Sequence, residues 1–163
     1  MNDTIFLSTE WVRLDEGLLT HDEACHIFCL REPTYESAIK YTMQNLTDML
    51  TPLNSMIELL PKIKESGHSL YYLSNYHKEL RDYVVNKFQF FELFDGGLFS
   101  CDVHLVKPSL EIFHMFLSKH SLLGEECLFF DDVEENVTAA RNAGINSVLF
   151  FDANCVNPYI LPL

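Results

Sequence analysis

The sequence predicts an α/β fold, a parallel sheet with helices on both faces, and three observations carry that expectation. Four short apolar runs, Ser69 to Leu73, Gly97 to Ser100, Cys127 to Phe130 and Ser147 to Phe151, have the length of strands. They do not alternate apolar with polar, as strands covered on both faces do not. Segments with helical spacing separate them, and strand alternating with helix is the pattern of parallel rather than antiparallel sheets.

Taken in order, the first third reads as helices without strands. Thr20 followed three residues on by Glu23 has the form of a capping box, opening a helix that should stop before Pro33. A second helix is expected from Thr34 to about Leu50, with Ala38, Tyr41, Leu46 and Leu50 as its apolar stripe and Pro52 as its end. Asn54 to Ser66 has helical character, interrupted by Pro61 and closed by Gly67. The strand ending at Ser74-Asn75 follows, then helices from about His77 to Lys87, Ser109 to His120 and Glu134 to Ala143, the last closed by Gly144. A helical segment, 1–51, thus precedes an α/β core, 52–163.

With 163 residues, 48% hydrophobic and 21% charged, the chain has one domain's length and a globular composition. Disordered, collagen-like and disulfide-scaffold classes are excluded. Eleven Lys and Arg face twenty-four Asp and Glu, a formal charge of −13. A field of that sign repels nucleic acid and acidic membranes, which leaves small molecules as the expected ligands. No apolar stretch approaches the roughly 20 residues that span a bilayer, and the segment Met1 to Leu7 lacks the basic region and cleavage site of a signal peptide. Five cysteines without regular spacing fit reduced thiols in a cytoplasmic protein. His21, Cys25 and Cys29 would stack on one helix face, where packing explains them better than a metal.

Ligands in parallel sheets sit beyond the carboxyl ends of the strands. Polar residues fall there in three places: Ser74-Asn75, Lys107-Pro108 and Asp131-Asp132. A hydroxyl, a fixed ammonium and paired carboxylates able to hold Mg²⁺ are what phosphoryl transfer requires around its transferred group.

Tyr71-Tyr72-Leu73-Ser74-Asn75, then Leu105-Val106-Lys107-Pro108-Ser109, then Leu128-Phe129-Phe130-Asp131-Asp132-Val133-Glu134-Glu135-Asn136 stand in this order. Glu10-Trp11 and Leu14-Asp15-Glu16-Gly17 precede them. In order and wording these segments resemble the second, third and fourth motifs and the cap region of the haloacid dehalogenase-like (HAD) superfamily of hydrolases, in particular phosphatase-like members with a helical cap. The resemblance implies a Rossmann-like core carrying a cap over 1–51. It also implies a Mg²⁺-dependent phosphatase that acts on a small phosphorylated metabolite through an aspartyl-phosphate. In that family's pattern Ser74 and the Asn75 backbone bind phosphoryl oxygens, and Lys107 neutralises charge on the phosphate and on the attacking carboxylate. Asp132 coordinates Mg²⁺, Asp131 is a second ligand or the partner behind it, and Asn136 supports the loop. Trp11, Phe28 and Tyr35 are candidate walls of the cap, although packing explains them better, and His77 is expected to be solvated.

One piece of the pattern is missing. The family opens with an apolar strand ending in Asp-x-Asp, whose first Asp attacks phosphorus, and this sequence contains no Asp-x-Asp. Asp152, after the last strand, is the nearest substitute and stands at the wrong place in the order. The missing strand is the central one, so its neighbours need a repair. They could pair directly, Thr4 to Leu7 could fill the slot, or a second copy or strand-donating partner could supply a strand. The chain as given is therefore expected to be inactive alone. The alternative is a non-catalytic phosphate-binding, metal-binding or interaction protein derived from that family.

Overall fold

Thr20 accepts the backbone N–H of Glu23 through its hydroxyl, while the Glu23 carboxylate accepts the N–H of Thr20 at 2.9 Å. This is the predicted capping box, and the helix it opens ends at Arg31, before Pro33. The computed structural model describes residues 5–160. In chain order its elements are α1 (Thr9–Asp15), α2 (His21–Arg31), α3 (Glu36–Gln44), α4 (Asn54–Ile57), α5 (Leu60–Glu65), β1 (Tyr71–Ser74) and α6 (Lys78–Lys87). Then come β2 (Gly96–Phe99), α7 (Leu110–His120), β3 (Leu128–Asp131), α8 (Glu134–Asn142), β4 (Asn146–Leu149) and α9 (Asn157–Ile160), with short 3-10 turns between several of them. Among the described residues no helix is long and apolar enough to cross a membrane.

By contact the chain forms two units. The first holds the residues up to 51 together with 74–88 and 99–106. Its core is Leu14, Ala24, Phe28, Ile39, Met43, Leu46 and Leu80, with Trp11, Cys25 and Cys29 packed against it. The predicted stripe of α3 is corrected here: Ala38 is exposed and Tyr41 is 70% exposed, whereas Ile39 and Met43, one turn apart, are buried. The reason is that α3 ends at Gln44, and Leu46 reaches the core from a following 3-10 turn, Leu46–Met49, which breaks the α-helical phase. Helix α1 was not expected. The Ser8 hydroxyl caps it by accepting the N–H of Trp11 at 3.1 Å. Along α2, His21 Nε2 meets the Met43 carbonyl at 2.9 Å. Cys25 and Cys29 of the same face pack against the core.

The second unit holds 52–73, 89–98 and 107–163. β3 and β4 run parallel, in register from Leu128 opposite Asn146 to Asp131 opposite Leu149, and β1 pairs with β2 in a separate two-stranded sheet. This is a mixed α/β fold with parallel pairing and flanking helices, and with fewer strands than a full Rossmann-like core. Among the described residues no ladder joins the two sheets, so direct pairing of the strands bearing Ser74 and Asp131 does not occur. Nor does the N-terminal segment form a strand: Ile5 is helical, Phe6 and Leu7 lie in a turn, and Thr4 is outside the described residues.

Asp95 ties the entry of β1 to that of β2. Its N–H donates to the Leu70 carbonyl at 2.8 Å, its carboxylate accepts the Leu70 N–H at 2.8 Å, and Lys64 pairs with it at 2.7 Å. Beside it Gly97 is required, because a Cβ there would stand 2.5 Å from the Tyr72 ring. The expected break at Pro61 is present: α4 stops at Ile57, and α5 restarts with Pro61 in its first turn, where no N–H is needed. Gly144, at φ +82°, closes α8. Leu60, Ile63 and Val156 form one core cluster with Phe90, Phe94, Phe130 and Phe150 around it. Phe113 of α7 packs edge-on against Phe129 of β3, with ring centroids 5.6 Å apart.

Candidate functional site

The strand β3 runs one residue further than expected and includes Asp131, whose carbonyl accepts the N–H of Phe150 at 2.9 Å. Pairing with β4 therefore fixes the backbone of Asp131, and its side chain is 4% exposed. One carboxylate oxygen, Oδ2, lies 2.5 Å from Lys107 Nζ. The other, Oδ1, accepts the Val133 N–H and the Asn136 side-chain amide, each at 2.9 Å. Lys107 is itself 10% exposed on its side chain, with its ammonium 5.5 Å from the centre of the Phe129 ring. A buried carboxylate costs several kcal/mol of desolvation unless it is paired and hydrogen-bonded, and this one is both.

The network brings Lys107, Asp131 and Asn136 together at the carboxyl end of β3 and leaves Asp132, the next residue, exposed. Both Asp131 oxygens are engaged within the protein, so of the adjacent pair only Asp132 presents its carboxylate outward. The N-terminal turn of α8 begins two residues later and directs its first N–H groups to the same end. A concavity of about 750 Å³ in this unit lies at the opposite ends of β3 and β4, lined by Cys127, Leu128, Arg141, Ile145 and Tyr159 among others. It contains none of these four site residues.

Ser74 and Asn75 belong to the first unit, where Ser74 ends β1 and Asn75 follows it; both are half-buried. The backbone just beyond is tightly held. Ser100, fully buried, accepts the Tyr76 N–H at 3.0 Å and donates its hydroxyl proton to the Asp15 carbonyl at 2.6 Å. Burial pushes the pKa of the Asp15 carboxyl up to about 7, against the opposing influence of the His77 backbone and the Trp11 side chain.

His77 is not solvated as the sequence suggested. It is 1% exposed, Nδ1 meets Glu79 at 3.0 Å, and its ring stands edge-on to Trp11 at 5.9 Å. Burial lowers the pKa of His77, with Glu79 opposing the shift. Neither Asp15 nor Ser100 was singled out as a functional candidate, and they lie 85 residues apart in the chain.

Of the three candidate cap walls, Phe28 is wholly inside the core, Trp11 packs against it, and Tyr35 is 52% exposed. Asp152, the substitute for the missing nucleophile, accepts the Asn154 N–H at 2.7 Å and caps a 3-10 turn.

Comparison with known proteins agrees with this fold. Residues 19–150 match the model of the haloacid dehalogenase-like hydrolase family. A sesquiterpene phosphatase of Aspergillus oryzae is 29% identical over 147 residues, which are 87% of this chain and 72% of that protein. A drimenol cyclase of Aspergillus calidoustus is 29% identical over 143 residues, 86% of this chain but 27% of that protein, so the chain spans about a quarter of it. Among solved structures, a HAD family enzyme from Bacteroides thetaiotaomicron in complex with magnesium and inorganic phosphate superposes with TM-score 0.72 and 21% identity, covering 91% of this chain and 78% of that one. A predicted HAD-like hydrolase from Porphyromonas gingivalis gives TM-score 0.71 and 20% identity, covering 93% and 76% respectively.

Proposed function

The chain belongs to the haloacid dehalogenase-like hydrolase family, and from that premise we propose that it supplies the phosphate-binding and charge-neutralising part of a Mg²⁺-dependent phosphatase acting on a small phosphorylated molecule. Lys107 neutralises the phosphoryl group, while the Ser74 hydroxyl and the Asn75 N–H bind phosphoryl oxygens. Asp131 and Asn136 act behind them, one anchoring the ammonium and the other the loop. The observation that carries this reading is the Lys107–Asp131–Asn136 network, which aims a cation and an exposed carboxylate to one end of β3. Such preorganised charge is what stabilises a phosphoryl transition state.

The metal is a separate matter. Mg²⁺ takes six oxygens, commonly one or two carboxylates with the rest from water and phosphate. Asp132 is the one carboxylate this network leaves outward, and no group of three acidic, histidine or cysteine side chains occurs among the described residues. These residues do not make up a metal site on their own, so no step is assigned to a metal held by this chain alone. Asp132 is the ligand it would contribute.

The attacking carboxylate, in this reading, arrives on an apolar strand ending in Asp-x-Asp from outside the 163 residues, on a longer form of the chain or on a strand-donating partner. In support, among the described residues β3 has a ladder partner, β4, on one side only. The resemblance to the sesquiterpene phosphatase makes a phosphate ester of an apolar organic group the first substrate class to test. The free cysteines at 25, 29, 101, 127 and 155 suit a reducing, cytoplasmic setting.

The test is to express the chain with the coding sequence that precedes Met1 in frame and to measure Mg²⁺-dependent phosphate release. Turnover in the extended chain, lost in Lys107→Ala, is the expected result. An extension without Asp-x-Asp, or an extended chain without turnover, rejects the phosphatase. Phosphate binding without turnover selects the second reading, a binding protein, which the lack of Asp-x-Asp in these residues favours.

A further inference from the structure

The Ser100 hydroxyl joins two segments that are far apart in the chain. It accepts the N–H of Tyr76 at 3.0 Å and donates to the main-chain carbonyl of Asp15 at 2.6 Å. A hydroxyl has one proton to give and lone pairs to accept with. Of the carbonyls within its reach, Asp15 at 2.6 Å and Tyr76 at 3.4 Å, the nearer takes the proton, which leaves a lone pair for the Tyr76 N–H. Ser100 has no exposed surface, and a buried hydroxyl is costly unless it is hydrogen-bonded. Here it is used both as donor and as acceptor.

The bond to Asp15 is not what distinguishes Ser100, because further contacts hold residues 15–17 to residues 101–104 without it. His104 Nδ1 meets the Glu16 carbonyl at 2.7 Å. Gly17, at φ +70°, lies so close to Cys101 that a Cβ there would stand 2.9 Å from the Cys101 carbonyl oxygen. What these contacts do not duplicate is the bond to Tyr76. The Tyr76 N–H lies in one planar peptide group with the Asn75 carbonyl, so holding that N–H fixes the plane that follows Asn75. On one side of it Ser74 ends β1, and on the other the His77 carbonyl accepts the Arg81 N–H of α6 at 2.9 Å.

We infer that Ser100 is a positioning residue for phosphate: through the Tyr76 N–H it sets the backbone of the Ser74–Asn75 loop and anchors it to the Asp15 main chain. The inference rests on the phosphate-binding reading given above. It adds a residue that touches no ligand and acts through the backbone. A misplacement of about 1 Å at such a loop is enough to cost on the order of a hundredfold.

The experiment is an amide-resolved titration of the ¹⁵N-labelled chain with inorganic phosphate, together with hydrogen exchange at Tyr76. The proteins are the wild type, Ser100→Ala, Ser100→Cys and, as a control on the neighbouring tie, His104→Ala. In the wild type, phosphate should shift the amides of Ser74 and Asn75. Ser100→Ala should speed exchange at Tyr76 and weaken phosphate binding, each by about tenfold or more. Ser100→Cys keeps a weaker donor and acceptor in a similar volume and should fall between the two, which carries the test if Ser100→Ala does not fold. His104→Ala loses the bond to Glu16 and leaves Tyr76 untouched, so it should lower the melting temperature and keep the wild-type phosphate affinity. Folded Ser100 variants with wild-type affinity, or an equal loss of affinity in His104→Ala, would overturn the positioning role while phosphate binding stands. So would the failure of both Ser100 variants to fold, which would make Ser100 a residue of stability alone. A wild type whose Ser74 and Asn75 amides ignore phosphate rejects the phosphate-binding reading and the positioning role with it.

Discussion

Lys107 is held by Asp131: its ammonium lies 2.5 Å from one carboxylate oxygen, and both side chains are at least 90% buried. A pair so far from water is poised between two costs. Each charge loses hydration, and each is stable only because the other is there.

Removing either partner should therefore be expensive. Lys107→Ala and Asp131→Ala are each expected to cost about 3–5 kcal/mol in chemical denaturation, because the remaining charge is buried without a partner. Losses under about 1 kcal/mol, the range of exposed pairs, would show that the two side chains are solvated in solution. Asp131→Asn should fall between these limits, since its one amide oxygen can still accept from Val133 and Asn136 while its NH2 group cannot accept from Lys107.

Asn136 donates to the same carboxylate at 2.9 Å and is buried. A hydrogen bond to a charged group is worth about 1.5–3 kcal/mol, so Asn136→Ala is expected to destabilise by that amount. In the double variant with Asp131→Ala the two losses should not add, as they share one network. Simple additivity in a double-mutant cycle would contradict the coupling.

Asp15 should make stability depend on pH. Its carboxyl is raised from 3.8 to about 7, chiefly by burial. A raised carboxyl favours the folded state when protonated, so its contribution is fully present below about 3.8 and is lost as pH rises through about 7. Asp15→Asn removes that dependence. Thermal melts of the two proteins should diverge steadily between pH 4 and pH 7, the variant gaining relative to the wild type, and run parallel above that range. Carboxylates held below their usual range by a cation or backbone N–H, such as Asp95 beside Lys64, act in the opposite sense and cancel in this comparison. A constant difference across the range would mean that Asp15 titrates as an ordinary surface acid.

Asp152 is bonded to the N–H of its own turn, and the chain should show no Mg²⁺-dependent hydrolysis of an aryl phosphate on its own. Asp152→Asn should leave that blank unchanged. Turnover by the 163-residue chain that disappears in Asp152→Asn would instead place the nucleophile after the last strand.

The parts of this molecule that were legible in the sequence are those decided locally. The capping box at Thr20 and Glu23, the break at Pro61 and the glycine stops at 67 and 144 are read from a few adjacent residues, and the structure contains each of them. The strands were found to within two residues because an unbroken apolar run has few other uses. The stripe of α3 was misread because its helical phase ends at Gln44, a boundary that no Gly or Pro marks. His77 was misread because a helix-start histidine looks solvated until Trp11 and Glu79 are known to pack on it. The Asp15–Ser100 link, 85 residues apart, leaves no local trace at all. The division of labour between Asp131 and Asp132 also depends on three-dimensional detail, namely which of two adjacent carboxylates points at Lys107.

Calorimetric titration of inorganic phosphate into the wild type, Ser74→Ala, Lys107→Arg and Lys107→Ala, with Mg²⁺ present, tests the proposed phosphate binding most directly. Measurable affinity in the wild type, at least tenfold weaker in Ser74→Ala and in Lys107→Ala and partly kept in Lys107→Arg, is expected. Equal affinity in the wild type and Lys107→Ala, or no phosphate bound at all, would contradict it.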